Sequence, residues 1–369
     1  MKKIIAIALI AVLVLSLAAC GTINKAEVSI LWSGEGTVKV PNSLINAMER
    51  AMYSEKISYK HYGANGDQAA QTKQAQDALN AGCAALAVEL VDASAAQSIV
   101  DAAKAKNVPV VFFNCAVEET IVASYDKCVL VDTNVESLDS TLGELIASTL
   151  ITEKKGLFAK EVTYSVTKGA DRNNDGTITY LAIGDAAKVI EVVNAKLTEA
   201  GLSATVSAGD ATDATVIAGL TEATVTVEKK EMGILSTASG AIDLIITNSD
   251  AVALEVLTAL QERGYNSTKL TTHNIPMFTV GTEADAKDFT NTSNMSEEEK
   301  SALIYTVTDI IGAGQITGTA TEDYDGIAVA VATVLRNLLK GNDTFKDIST
   351  DIVNGIWAVK VPYTTVSSD

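Results

Sequence analysis

Residues 171–179 read Asp-Arg-Asn-Asn-Asp-Gly-Thr-Ile-Thr, which sets oxygen-bearing side chains at the first, third, fifth and ninth positions around a glycine at the sixth. Calcium takes about six to eight hard oxygen ligands, and a sharp turn at Gly176 lets Asp171, Asn173 and Asp175 converge while Thr177 offers its backbone carbonyl. The twelfth position, where a helix–loop–helix calcium site carries a bidentate glutamate, is Ala182. Two readings follow. Either a carboxylate from elsewhere in the chain completes a calcium site, or the run is an Asx-rich turn, which Asn, Asp and Gly form without metal.

Other reactive residue types are sparse. His61 and His273 stand alone and read as surface or hydrogen-bonded histidines. Cys83, Cys115 and Cys128 show no C-x-x-C spacing; a disulfide among them is not indicated, and each reads as a small buried hydrophobe. Gly34-Glu35-Gly36 lacks the third glycine of a dinucleotide fingerprint and reads as a flexible loop. No G-x-S-x-G elbow, H-E-x-x-H pair or P-loop occurs. A glycosidase would need two carboxylates at a fixed separation, and nothing singles out a pair among the 46 acidic residues. An enzyme reading thus has little to support it.

At the N-terminus Lys2 and Lys3 precede an apolar run from Ile4 to Leu15 and then Leu17-Ala18-Ala19-Cys20. A positive start, a short apolar stretch and small residues before a cleavage point make an export signal, and the cysteine after Leu-Ala-Ala resembles a bacterial lipobox. Residues 1–19 are thus expected to be a lipoprotein signal peptide, Cys20 the lipidated residue, and 20–26 a tether. Each buried CH₂ of an acyl chain contributes about 0.8 kcal/mol, so two or three chains hold a domain at a membrane surface without a spanning helix. The formal net charge of −18 repels phosphate backbones and excludes nucleic acid as the expected partner.

The elements that must position these residues alternate between short β-rich runs and longer amphipathic stretches, the pattern of α/β proteins with parallel sheets. Expected strands are Val28–Trp32, Ala84–Val88, Pro109–Phe113, Val129–Val131, Ile178–Ile183, Ile242–Thr247, Met277–Val280 and Gln315–Thr319. Expected helices are Asn42–Tyr53, Asp67–Ala81, Ala93–Lys106, Leu138–Thr152, Asp185–Ala200, Ala251–Glu262 and Gly326–Leu339, with Gly82, Gly201 and Gly264 suited to their C-terminal ends. Open parallel sheets bind ligands beyond the carboxyl ends of their strands. Attention therefore falls on Ser33 to Thr37, Asn114, Gly184-Asp185, Asn248 to Asp250 and Gly281.

Several runs carry a family resemblance: Leu90-Val91-Asp92, Asn107-Val108-Pro109-Val110-Val111-Phe112-Phe113-Asn114, Ser124-Tyr125-Asp126-Lys127, the 171–179 loop, Ile242-Asp243-Leu244-Ile245-Ile246-Thr247-Asn248-Ser249-Asp250-Ala251, Ile275-Pro276 and Val361-Pro362-Tyr363. Over essentially the mature chain the sequence resembles the bacterial periplasmic galactose/glucose-binding protein family, type I solute-binding proteins of ABC sugar importers. That resemblance implies two Rossmann-like α/β lobes with parallel sheets, joined by three crossover hinge strands. The implied lobes are 27–133 plus 323–359 and 134–322 plus 360–369. It further implies a monomer that captures a monosaccharide or related polyhydroxylated solute and delivers it to an ABC importer permease.

The resemblance also implies residue roles. The last calcium carboxylate corresponds to Asp243, shorter than the usual glutamate, so the implied Ca²⁺ set is Asp171, Asn173, Asp175, Thr177 through its carbonyl, Thr179 and Asp243. Among solute contacts Asn114 matches directly, Asp185 matches across a short deletion, and Glu35 falls near the first-loop acidic contact. Ser249, Gly281 and Glu322 replace an asparagine, an aspartate and an asparagine. Val189 stands where an arginine clamps the sugar, the neighbouring histidine is deleted, and no tryptophan lies between Trp32 and Trp357. Trp32 itself is expected to pack at a lobe edge. The ligand contacts are thus expected to be Asn114, Asp185, Glu35, Ser249 and Glu322. So altered a pocket keeps a second reading open, that of a sensory or partner-binding lipoprotein that retains the fold without the sugar.

Overall fold

The computed structural model describes residues 27–34, 40–155, 162–172, 174–208, 226–227, 235–237, 240–262, 265–266, 274–281, 307–353 and 358–367. Cys20, Glu35, Asn173 and His273, with the expected signal peptide and tether, lie outside them. In the first part of the chain, strands β1 (Val28–Trp32), β2 (Tyr59–Gly63), β3 (Ala85–Val88), β4 (Val110–Phe113) and β5 (Cys128–Asn134) alternate with helices α1 (Asn42–Ser54), α2 (Gln68–Asn80), α3 (Ala96–Ala105) and α4 (Glu119–Val122). The chain continues through α5 (Leu138–Leu150), β6 (Ile151–Lys155), β7 (Val162–Val166), β8 (Thr177–Ile183), α6 (Ala187–Glu199) and β9 (Thr205–Ala208). Three short strands, β10 (Thr226–Val227), β11 (Leu235–Thr237) and β12 (Gly240–Ala241), precede β13 (Leu244–Thr247), α7 (Asp250–Glu262), β14 (Met277–Gly281), α8 (Val307–Gly312) and β15 (Gly318–Thr321). Helix α9 (Tyr324–Lys340), β16 (Asp351–Val353), β17 (Ala358–Pro362) and β18 (Thr364–Ser367) follow.

Two sheets organise the molecule. The first has the order β16-β17-β5-β4-β3-β1-β2 and the second β18-β15-β14-β13-β8-β9. Each is parallel except for one antiparallel edge strand, β16 in the first and β18 in the second. The chain leaves the first sheet after β5, returns after β15 into α9, and passes back from β17 to β18. The α/β, two-lobed, parallel-sheet fold expected from the sequence is the one observed.

Both faces of each sheet are covered, so central strands such as β1, β3, β4, β13 and β14 are predominantly apolar instead of alternating with polar residues. In the first sheet Ile30, Ala87, Val111, Phe113, Val129 and Val131 pack with α1 and α9, while Leu31, Leu86, Val88, Val110, Phe112 and Leu130 pack with α2 and α3. In the second, Leu181, Ile245 and Met277 meet α7 and α8, and Ile178, Leu244, Ile246 and Phe278 meet α5 and α6.

Boundaries differ from the sequence reading where a side chain or a pairing intervenes. Helix α5 stops at Leu150, not Thr152, because Ile151 and Thr152 pair with Val166 and Ser165 in the β6–β7 hairpin. Helix α6 begins at Ala187, with the Asp185 carboxylate accepting from the Ala187 N–H at 3.0 Å instead of forming its first turn. Helix α9 begins at Tyr324, two residues early, because Asp323 caps the Gly326 N–H at 2.8 Å. Strand β2 was not foreseen. Its sequence, Tyr-Lys-His-Tyr-Gly, is polar because it forms a sheet edge.

Helices α5 and α6 approach closely at Gly143, where an added Cβ would lie 2.7 Å from Val192 Cβ and 3.0 Å from the Val189 carbonyl oxygen. Gly143→Ala gains about 1 kcal/mol of helix propensity, whereas overpacking a tight contact costs about 1–3 kcal/mol. Urea unfolding is expected to show Gly143→Ala as destabilised; a variant more stable than the parent would show that the helices separate freely.

Candidate functional site

Parallel strands bring their carboxyl ends to one edge of a sheet, and in the first lobe these ends carry Ser33, Glu89, Asn114 and Asp132-Thr133. Glu89 is only 5% exposed, yet both of its carboxylate oxygens have donors. Oε2 accepts from the Ser33 N–H at 3.1 Å and Ser33 Oγ at 2.7 Å, and Oε1 accepts from Asn114 Nδ2 at 2.7 Å. Behind it the buried Gln71 donates to the Glu89 carbonyl at 2.8 Å and accepts from the Val91 N–H at 3.1 Å. Asn114 has φ +49°, a left-handed conformation that asparagine tolerates better than most residues. This turn directs the chain out of β4 and leaves the side chain half-buried.

Glu322 comes from the end of β15 in the other lobe. Its Oε1 accepts from Thr133 Oγ1 at 3.4 Å, joining the first and second passages between lobes. Burial raises the Glu322 pKa, and the carboxylates of Asp132 and Glu89 raise it further. Lys360 on β17 offsets part of this charge through a 3.1 Å ion pair with Asp132. The Tyr363 N–H donates to Ser137 Oγ at 3.0 Å, tying the third passage to the first. Glu89, a residue the sequence reading passed over, bonds Asn114 directly and acts on Glu322 only through charge repulsion. Glu89 directly follows β3, so the strand-end rule was the signal that could have found it.

The second lobe contributes Asp185, Asn248, Ser249, Asp250 and Gly281. Asp185 Oδ1 caps α6 as described, and Ser249 Oγ accepts from the Val252 N–H at 3.3 Å in the first turn of α7. Asp185 and Asn248 border a cavity of ≈ 110 Å³ that also meets Leu138, Asp139 and Val280. At Gly281 an added Cβ would fall 1.8 Å from Asp250 Oδ2, so the missing side chain makes room for the Asp250 carboxylate.

Trp32 is core. It is 4% exposed, meets Phe113 edge-on at 5.2 Å, and donates from Nε1 to His61 Nδ1 at 2.8 Å. His61 is accordingly hydrogen-bonded, with burial lowering its pKa. Cys83, Cys115 and Cys128 are unpaired thiols that burial pushes up to about 11, about 12 and about 12.

In the 171–179 loop Asp171 accepts from the Asn174 and Gly176 N–H groups at 2.7 and 2.8 Å, and Asp175 accepts from Thr177 N–H at 2.8 Å. The off-loop Asp243, 1% exposed, accepts from the Arg172 N–H at 2.8 Å and the Thr179 N–H at 2.7 Å. Burial pushes Asp243 up to about 6; those N–H donors and the Arg172 guanidinium pull it down, and Asp171 adds to the rise. Among the described residues no group of three or more His, Cys, Asp or Glu side chains stands ready to hold a metal. The donor chemistry nevertheless suits a hard cation. Asp243 meets the second and ninth loop residues, and each bonded carboxylate oxygen keeps a further lone pair.

Residues 37–343 match the family model for the periplasmic binding protein domain. The chain belongs to that family. It is a solute-binding protein of the two-lobed α/β type, not an enzyme. A D-galactose/methyl-galactoside binding periplasmic protein from Haemophilus influenzae is 25% identical over 304 residues, 82% of this chain and 77% of the relative. Among solved structures, an ABC transporter solute-binding protein from Bradyrhizobium with bound bis-tris aligns at TM-score 0.51 and 12% identity, covering 94% of this chain and 83% of that one. A periplasmic ribose ABC transporter protein from Conexibacter woesei aligns at 0.50 and 15%, covering 94% of each chain.

Because Glu322 holds its proton more tightly in the folded protein, its contribution to stability is full below the ordinary glutamate pKa of about 4.3 and is lost as pH rises through the raised native value. Glu322→Gln is therefore expected to flatten the decline in urea midpoint across that window. An unchanged pH profile would show that Glu322 is solvated like an ordinary surface glutamate.

Proposed function

We propose that this binding protein is a lipid-anchored extracytoplasmic receptor that captures a monosaccharide of the galactose/glucose class, or a related polyhydroxylated solute, for an ABC importer. The observation that carries the reading is Asn114, held half-buried at the end of β4 by a buried carboxylate. An amide so fixed presents directional hydrogen-bonding groups suited to solute hydroxyls. Glu322 and Ser249, each at the end of a strand, and Asp185, at the rim of a cavity, supply further polar groups, and Glu35 belongs to the same proposed contact set. The sugar assignment is supported by the galactoside-binding relative. The absent arginine, histidine and tryptophan support weaker binding than a full charge clamp would give, since a charge-assisted bond contributes about 1.5–3 kcal/mol. The lipid anchor at Cys20 rests on the leader sequence.

Calorimetry with D-galactose, D-glucose and myo-inositol tests this reading. At least one is expected to bind, with Asn114→Ala weakening it tenfold or more, about 1.4 kcal/mol. Nanomolar glucose binding, or sugar binding indifferent to Asn114, would show that the site lies elsewhere.

We also propose that Asp171, Asn173, Asp175, the Thr177 carbonyl, Thr179 and Asp243 hold a structural Ca²⁺. When bound, the ion would join the loop to the residue before β13. A ligand held only by the folded state stabilises by mass action. Added Ca²⁺ is therefore expected to raise Tm, and Asp175→Ala to abolish the rise; a Tm unaltered by prolonged chelation would count against an occupied site.

A further inference from the structure

Three strand ends in the first lobe are tied together by one side chain. Glu89 follows β3, Ser33 follows β1 and Asn114 follows β4, and the Glu89 carboxylate accepts from the other two. A carboxylate is an acceptor only, so whatever faces it must donate. An asparagine amide can donate only from Nδ2. The bond from Nδ2 to Oε1 at 2.7 Å therefore fixes the amide's orientation as well as its position. We infer that Glu89 is the positioning residue of the solute site, turning the Asn114 amide nitrogen inward and leaving its carbonyl Oδ1 and second N–H to meet solute.

Two further observations support this role. Glu89 is held in turn: its backbone carbonyl accepts from buried Gln71, and its Oε2 has two donors in Ser33, so the carboxylate cannot swing to release Asn114 without stranding them. Ser33 also lies two residues before Glu35 in the sequence, so the same carboxylate holds the backbone just ahead of a second proposed contact. Replacement by glutamine keeps size but puts an N–H₂ where an acceptor stood. The Asn114 amide must then rotate to offer its oxygen inward, which reverses what it presents outward.

This inference rests on Asn114 being a solute contact, and the test separates the two. In Glu89→Gln, the Asn114 side-chain amide resonances, assigned by their loss in Asn114→Asp, are followed by NMR without any solute. One strongly hydrogen-bonded, slowly exchanging amide proton is expected in the parent and its loss in Glu89→Gln; unchanged resonances would overturn the positioning role whatever binds. Calorimetry with D-galactose, D-glucose and myo-inositol then reads function. Glu89→Gln is expected to weaken the binding sugar at least tenfold, with Glu89→Gln/Asn114→Ala no weaker than Asn114→Ala alone. Full additivity would overturn the inference. If the NMR change occurs but Asn114→Ala binds normally, the positioning stands and the solute-contact reading fails. Glu89→Asp, which keeps the charge, is expected to recover the slow amide proton in part, which separates positioning from a general loss of folding.

Discussion

The register between β5 and β17 is the constraint on which the architecture depends. The two strands pair in parallel from Leu130 and Ala358 to Asn134 and Pro362, and both run out of the first sheet toward the second. Their pairing holds two of the three passages side by side, and Glu322 joins the other by accepting from Thr133. A parallel strand pair cannot slip by one residue without turning its apolar side chains to the opposite face. Val131 and Val359 are fully buried with α9, and that burial fixes the register. The passages, and the strand ends that flank them, are thereby placed together.

Charge is concentrated where those passages meet. Glu89 is satisfied by three donors, Asp132 by Lys360, and Glu322 by a longer bond to Thr133 with its proton held more tightly than usual. A buried carboxylate without donors would be costly by several kcal/mol. The arrangement is stable because each acid has a partner from a different strand. The same cross-strand bonding restrains Ser33, Glu89 and Asn114, and in the proposed solute site such restraint would reduce the ordering cost of binding.

Much of this was legible in the sequence because parallel strands buried on both faces must be short and apolar. Runs such as Val110-Val111-Phe112-Phe113 could be placed to within a residue or two. Asn114 and Asp243 were legible through their places in family-like runs. Most of what escaped detection lacked a local signal. The edge strand at Tyr59–Gly63 is polar, and the β6–β7 hairpin starts inside an apparent helical run. Glu89 directly follows β3 and so lay within reach of the strand-end rule, but Ser33 and Asn114, the partners that single it out, meet it only in space. A position that departs from the family pattern shows the converse. Gly281 gave no hint that its missing side chain leaves space for Asp250.

Capture of a polyhydroxylated solute by the folded protein is tested most directly by thermal unfolding across a panel of sugars, polyols and nucleosides. A solute at 100 times its Kd is expected to add about 2.7 kcal/mol of stability. A shift in Tm confined to one or a few sugars or polyols is the predicted result; no shift from any of them, or a shift only from nucleosides, would contradict the assignment.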